Sequence, residues 1–141
     1  MSVRDKITVF AYGSLLPGLI NHAVIAPFLM HSRSGMIAGR LVNVGAYPAA
    51  VRDQAARADG AVIEGLWLTI DRAGLAVLDE LEEFYGIEEN NDYDRVWVQD
   101  AGAPELEGWV YIWPSDRGFP PVPGSSWPDF INSLTTKLKL S

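Results

Sequence analysis

Apolar and polar positions along the chain divide it into short strands separated by a few helices. Ala61–Ile70 carries the strongest pattern. Val62, Glu64, Leu66, Leu68 and Ile70 share one face, and Ala61, Ile63, Gly65, Trp67 and Thr69 share the other. Both faces are mostly apolar, so the pattern predicts a central strand or one curved into a barrel. Ile7–Ala11 is a β-branched and aromatic run that predicts an opening strand, ending in Tyr12-Gly13-Ser14 and then Pro17-Gly18. Leu19–Met30 follows with helical spacing, ended or bent by Pro27.

Ser32–Gly35 reads as a turn and Met36–Val44 as a strand with a bulge or close approach at Gly39. Gly45–Val51 holds Tyr47-Pro48 in a fixed turn leading to a short strand, and Arg52–Gly60 reads as an exposed loop or hairpin end. Asp71 predicts the N-cap of a helix running to about Phe84, stopped by Gly86, with an acidic loop over Ile87–Asp92. Tyr93–Gln99 and Gly108–Trp113 predict a hairpin joined through Asp100–Glu107. The stretch from Pro114 is rich in Gly and Pro and reads as irregular. A last amphipathic helix starts at Trp127 or Pro128 and runs to about Lys139, with Phe130, Ile131, Leu134 and Leu138 as its apolar stripe. With no repeat and no linker, residues 1–141 read as one α+β domain. Its expected form is a small, strongly curved mixed sheet with two main helices and a C-terminal helix.

Composition changes this picture only by exclusion. Eleven Lys plus Arg against 18 Asp plus Glu give a net charge of -7, with no basic run, which argues against a nucleic-acid partner. The same acidity disfavours anionic ligands wherever no local site overrides the global field. The absence of cysteine removes thiol nucleophiles, disulfides and thiolate metal sites. Two histidines, His22 and His31, and no loop with carboxylate-ligand spacing leave no supported metal site. No run reaches membrane-spanning length and no apolar leader precedes the first strand, so a cytoplasmic protein without a membrane partner is expected. There is no phosphate loop, dinucleotide fingerprint or Gly-x-Ser-x-Gly elbow.

Two places carry candidate chemistry. A strand that stops in a Gly-containing turn leaves backbone N–H groups without ladder partners. At Tyr12-Gly13-Ser14 these can form a nest for a carboxylate, or simply connect a strand to a helix. The second place is the helix after Asp71. With Leu75 at zero and roughly 100° per residue, Leu78 and Leu81 fall at roughly 300° and 240° and Glu82 at roughly 340°. Glu80 and Glu83 turn away from that stripe. Glu82 is therefore the glutamate carried to the edge of the core, where desolvation raises a carboxyl pKa toward the range of a general acid or base. A salt bridge to Arg95 or Arg40, or a solvated flank position, accounts for the same placement. Arg95 can orient Glu82, bind a substrate carboxylate, or stand as an ordinary surface residue of its strand. Tyr111 shares a strand face with Trp113, which also suits plain aromatic packing, and Tyr47 suits a structural turn.

Taken in order, these segments resemble the γ-glutamylcyclotransferase-like (AIG2-like) superfamily, in its small bacterial form. The residues are Val9-Phe10-Ala11-Tyr12-Gly13-Ser14-Leu15, Asn21-His22, Gly45-Ala46-Tyr47-Pro48-Ala49 and Val62–Trp67 with Gly65. They continue with Leu78-Asp79-Glu80-Leu81-Glu82, Tyr93-Asp94-Arg95 and Val110-Tyr111-Ile112-Trp113. The resemblance covers Val9 to Trp113. It implies a barrel-like sheet with a pocket at one end. It also implies that Tyr12, Gly13, Ser14 and Leu15 bind the α-carboxylate and amine end of a γ-glutamyl group, with Tyr47, Arg95 and Tyr111 around it. Glu82 is then the acid/base. The implied reaction is intramolecular: the substrate's own amine attacks its γ-carbonyl and releases 5-oxoproline, without a cofactor.

The other functions considered on this fold are a non-catalytic binder of a small carboxylate and a glutamate-dependent hydrolase or amine transferase. A monomer or homodimer is expected. Glu83–Asp92 is longer than the family connection and is expected to lid the pocket or select a cationic leaving group. The Pro-rich stretch and last helix beyond Trp113 match no family element.

Overall fold

The computed structural model describes residues 6–13, 22–45, 47–81 and 93–140. Seven strands and four helices lie within them. In chain order they are β1 (Lys6–Ala11), α1 (His22–Ile25), β2 (Leu29–Ala38), β3 (Arg40–Asn43) and β4 (Pro48–Val51). Then follow α2 (Gln54–Asp59), β5 (Val62–Asp71), α3 (Arg72–Leu81), β6 (Asp94–Gln99), β7 (Glu107–Ile112) and α4 (Trp127–Leu140). Five strands form one sheet in the order β2-β5-β1-β7-β6, and β3 and β4 form a second. The large sheet is mixed. β1 pairs antiparallel with β5 and parallel with β7, and the outer pairs are antiparallel.

β5 is central, as its two apolar faces predict, with Ile63, Trp67, Leu68 and Ile70 buried. One face of the sheet carries Val9, Ala11, Leu68, Ile70 and Tyr111 under α1 and α3, where Ile25 and Leu78 are fully buried. The other carries Phe10, Ile63, Trp67, Val98 and Val110, covered by Leu41 and Ala50 of the small sheet and by Trp127 of α4. The small sheet is tied to the large one where Val51 bridges Trp113 and the Trp113 amide donates to the Ala50 carbonyl at 2.8 Å. Residues 120–122 run along the free edge of β3. The Asn43 amide donates to Pro120 at 2.7 Å and the Val122 amide to Leu41 at 2.9 Å. The Pro-rich segment thus covers a strand edge that would otherwise offer unpaired backbone groups.

Several local expectations are corrected. The helix expected to reach Met30 ends at Ile25 in a single 3₁₀ turn over Ala26–Phe28, with Pro27 inside it, and Met30 already belongs to β2. Ser32–Gly35 is not a turn. It is the middle of β2, whose polar residues face solvent at the sheet edge while the ladder to β5 holds the backbone extended. Gly39 does not bulge a continuous strand. It separates β2 from β3 at φ 153, a conformation that only glycine adopts freely, and lets the chain change sheets. Arg52–Gly60 is not a loop but contains α2, with Asp53 accepting from the Ala56 amide and Gly60 left-handed at its end. Leu134, on the expected apolar stripe of α4, is exposed, and the side chain of Leu138 lies outside the described part. Asp71 caps α3 as expected, accepting from the Gly74 amide at 2.8 Å. The expected end of that helix at Phe84 and the 87–92 loop lie outside the described residues.

Candidate active site

β1 and β7 run parallel, so they finish at the same end of the sheet, where β6 begins. Four of the expected site residues sit there. Tyr12 follows the last residue of β1 and is buried. Its hydroxyl donates to the Tyr111 carbonyl at 2.6 Å and accepts from the Ala50 amide at 3.2 Å, which fastens the end of β1 to both β7 and β4. Gly13 comes next and lies against Pro48. A Cβ on Gly13 would come within 2.8 Å of Pro48 Cγ and 2.9 Å of Cδ. The Tyr-Gly turn and the Tyr-Pro turn, far apart in sequence, are therefore in contact, and only glycine fits the join. Pro48 is held in turn by Tyr93, whose hydroxyl donates to the Pro48 carbonyl at 3.2 Å. Tyr47 is exposed at the rim of this turn.

Arg95 and Tyr111 face each other across β6 and β7 and point toward α3. There they meet Asp79. Arg95 Nη1 donates to Asp79 Oδ1 at 2.6 Å and Oδ2 at 2.5 Å, and the Tyr111 hydroxyl donates to Oδ1 at 2.6 Å. The Arg95 guanidinium also lies over the Trp109 ring, 5.1 Å from its centroid. Burial, reinforced by the hydrogen bond to Asp79, pushes the Tyr111 phenol well above its ordinary pKa. Tyr111 is accordingly a neutral donor at any physiological pH and cannot serve as a base.

Arg40, named above as one candidate partner for Glu82, is engaged elsewhere. Its Nη2 bonds Asp53 at 2.7 Å and Asp116 at 3.2 Å, because β3 faces α2 and the segment after Trp113. Ser14, Leu15 and Glu82 lie outside the described residues. Asp79 is the site residue that the sequence candidates omit. The wheel that selects Glu82 puts Asp79 at roughly 40°, on the same stripe beside Leu75. An acid on the inward face, one turn before another, is the available signal. Among the described residues no group of three His, Cys, Asp or Glu could hold a metal. No helix among them is long and apolar enough to cross a membrane.

Residues 9–129 match the family described as gamma-glutamyl cyclotransferase, AIG2-like. The chain belongs to this family. The match passes Trp113 and takes in the Pro-rich segment and the start of α4, so the family resemblance extends further than the motifs alone carried it. A relative from Niallia circulans, gamma-L-glutamyl-butirosin B gamma-glutamyl cyclotransferase, is 32% identical over 112 residues, covering 77% of this chain and 67% of the relative. Among solved structures, an uncharacterized protein of Pyrococcus horikoshii superposes with a TM-score of 0.68 at 15% identity. That superposition covers 92% of this chain and 97% of the other. An AIG2-like protein of Mus musculus superposes with a TM-score of 0.61 at 21% identity, covering 77% of each. The fold is that of the AIG2-like cyclotransferases, and the chain is an enzyme of the γ-glutamylcyclotransferase type.

Proposed function

We propose that this enzyme releases 5-oxoproline from a γ-glutamyl amine, amino acid or peptide, with Glu82 as acid/base. The observation that carries the reading is that Tyr12 and Asp79 both bond Tyr111. Tyr12 reaches its carbonyl and Asp79 its hydroxyl, each at 2.6 Å. One strand residue thereby couples the Tyr12-Gly13 end of β1 to α3, and Glu82 follows Asp79 by three positions in the sequence. The loop's backbone donors bind the α-carboxylate of the γ-glutamyl group. Glu82 accepts a proton from the α-ammonium, and the freed nitrogen attacks the γ-carbonyl carbon. The ring C–N bond forms and the bond to the leaving amine breaks. Glu82 returns the first proton to that amine, and the second proton, lost from the ring nitrogen, lets it depart as an ammonium ion. Nucleophile and electrophile share one molecule, so their effective concentration is of the order that makes such closures fast, about 10⁵ M or above. The likeness to a cyclotransferase of γ-L-glutamyl-butirosin B directs attention to γ-glutamyl amides of amines, and a net charge of -7 favours the approach of cationic ones.

The test is to incubate the protein with a panel of γ-glutamyl amines, amino acids and peptides and to measure 5-oxoproline. Turnover by the native chain and its loss in Glu82→Gln, with the unfolding midpoint unchanged, is the expected result. Release of free glutamate instead would make the enzyme a hydrolase. Saturable binding without product by the native chain and Glu82→Gln alike would make it a binding protein.

A further inference from the structure

A concavity lies away from Tyr12, Asp79, Arg95 and Tyr111. Pro48 is at one end of β4, and the chain leaving the other end at Arg52 is about 13 Å further on. There a cleft of about 370 Å³ opens between α2, the junction of β2 and β3, and strands β6 and β7. Its apolar wall includes Val62, Val96 and Ile112. Val96 and Ile112 neighbour Arg95 and Tyr111 in sequence, so strand alternation turns them to the opposite face of the sheet from Asp79.

Arg52 and Arg57, both exposed, line this cleft together with Asp53. The stem of Arg52 passes over Gly39, where a Cβ would come within 3.2 Å of its Cγ. Its Nε donates to the Ala38 carbonyl at 2.9 Å, which fixes the fork and leaves its terminal nitrogens for other partners. Arg57 stands in the last turn of α2. Asp53, four residues before Arg57, is the acid that helix spacing would offer it. That carboxylate is already taken by three contacts from Arg40 and by the Ala56 amide. No carboxylate among the described residues forms an ion pair with Arg52 or Arg57. Burial, and then the charge of Arg57, lower the pKa of Arg52, as two cations facing one space require. In a chain of net charge -7, two arginines that form no ion pair among the described residues, beside an Asp53 already engaged by Arg40, locally reverse the global field.

We propose that this cleft binds a small organic anion, its charged head between Arg52 and Arg57 and its apolar body against Val62, Val96 and Ile112. The fork of a pinned arginine matches a carboxylate or phosphate head. The volume holds a body of about one substituted ring. The inference stands independently of the cyclotransferase reaction, since it uses none of the residues placed there.

Phenyl phosphate, inorganic phosphate and phenol serve as probes in backbone-amide NMR titrations of the full chain at fixed ionic strength. The expected result is saturable shifts at Gly39, Gly60, Ala61 and Val96 with phenyl phosphate, with at least tenfold weaker binding of either half alone. Arg52→Gln combined with Arg57→Gln weakens phenyl phosphate at least tenfold and leaves the other resonances in place. Arg57→Glu alone, a substitution at an exposed helix position, does the same should the double variant lose its fold. Linear, non-saturating shifts, shifts that survive both variants, or shifts centred on Gly13 and Asp79 overturn the proposal. Inorganic phosphate binding as tightly as phenyl phosphate overturns the apolar half of it.

Discussion

Tyr111 donates its hydroxyl to Asp79 Oδ1 at 2.6 Å, and Asp79 holds Arg95 Nη1 with both of its oxygens. This carboxylate is the meeting point of β6, β7 and α3, and its side chain is 23% exposed. Replacing it by Ala leaves the Tyr111 hydroxyl and the Arg95 charge short of an acceptor in a partly dry place. The expected cost is about 2 kcal/mol of stability, below the value for a fully buried pair because water reaches the site. Asp79→Asn keeps the shape and removes the charge. It is expected to lower kcat for 5-oxoproline release about tenfold with a smaller change in KM if, as proposed, Asp79 acts by holding Tyr111 and Arg95 in place rather than by meeting the substrate. Urea unfolding and steady-state kinetics on the two variants check this. A double-mutant cycle with Tyr111→Phe should show coupling of about 1 kcal/mol.

Gly13 and Pro48 give a sharper test of the loop. A methyl at position 13 would sit 2.8 Å from Pro48 Cγ, and the proline is held by Tyr93. Gly13→Ala must therefore shift the Tyr12-Gly13 turn or Pro48, and kcat/KM is expected to fall at least tenfold. Pro48→Ala removes Cγ and Cδ, the two atoms that clash. The double variant is expected to recover most of the lost activity, whereas a Gly13 acting only through its own backbone flexibility would show no recovery.

What is legible in the sequence divides along a physical line. β5 is readable because both of its faces are apolar, and α3 because Asp71 and the Leu75–Leu78 stripe mark its start and its buried side. β2 is not readable over Ser32–Gly35. Its residues are polar because the strand is an edge, and pairing with β5, which is non-local, overrides their turn preference. α2 does carry local signals that a loop assignment neglects: Asp53 at its N-cap and Gly60 at its end are ordinary helix markers around an Ala-rich segment. At the site, Tyr12, Arg95 and Tyr111 stand out one by one, but the acid that joins two of them does not. Contacts between α3 and β6–β7 depend on topology, which spacing within a helix does not encode. The burial of Asp100 is hidden for the same reason, since two of its four donors, Met36 N and Trp67 Nε1, come from β2 and β5.

Asp100 is buried, and its two oxygens accept four donors. Met36 N and Trp67 Nε1 reach Oδ2, each at 2.9 Å, while Gly102 N at 2.8 Å and Ala103 N at 2.9 Å reach Oδ1. Burial works to raise its pKa, but the bonds from Trp67, Met36, Gly102 and Ala103 outweigh it and hold the carboxyl below the usual range. Asp100→Asn keeps the size but turns an NH₂ toward one pair of donors. The expected loss is about 2 to 3 kcal/mol in urea unfolding, with faster amide exchange at the affected pair. A loss smaller than about 1 kcal/mol would mean that the hairpin relaxes freely around the site.

Acid sensitivity should trace in part to Asp53. Its carboxyl is drawn down to about 2, first by the Arg40 hydrogen bond and then by the Ala56 amide that it caps. A depressed carboxyl contributes stability above its unfolded value, about 4, and loses that contribution as pH falls toward 2. Because the side chain is 27% exposed, the contribution is discounted for solvent to on the order of 1 kcal/mol. Asp53→Asn retains an N-cap acceptor for α2 but removes the titrating charge and weakens the pairing with Arg40. The variant should therefore be less stable than the native chain at pH 7 by that amount. The difference should close between pH 4 and pH 2, as read by urea unfolding at a series of pH values. A gap that stays constant down to pH 2 would assign the effect to packing of the substituted amide and not to the Arg40 ion pair.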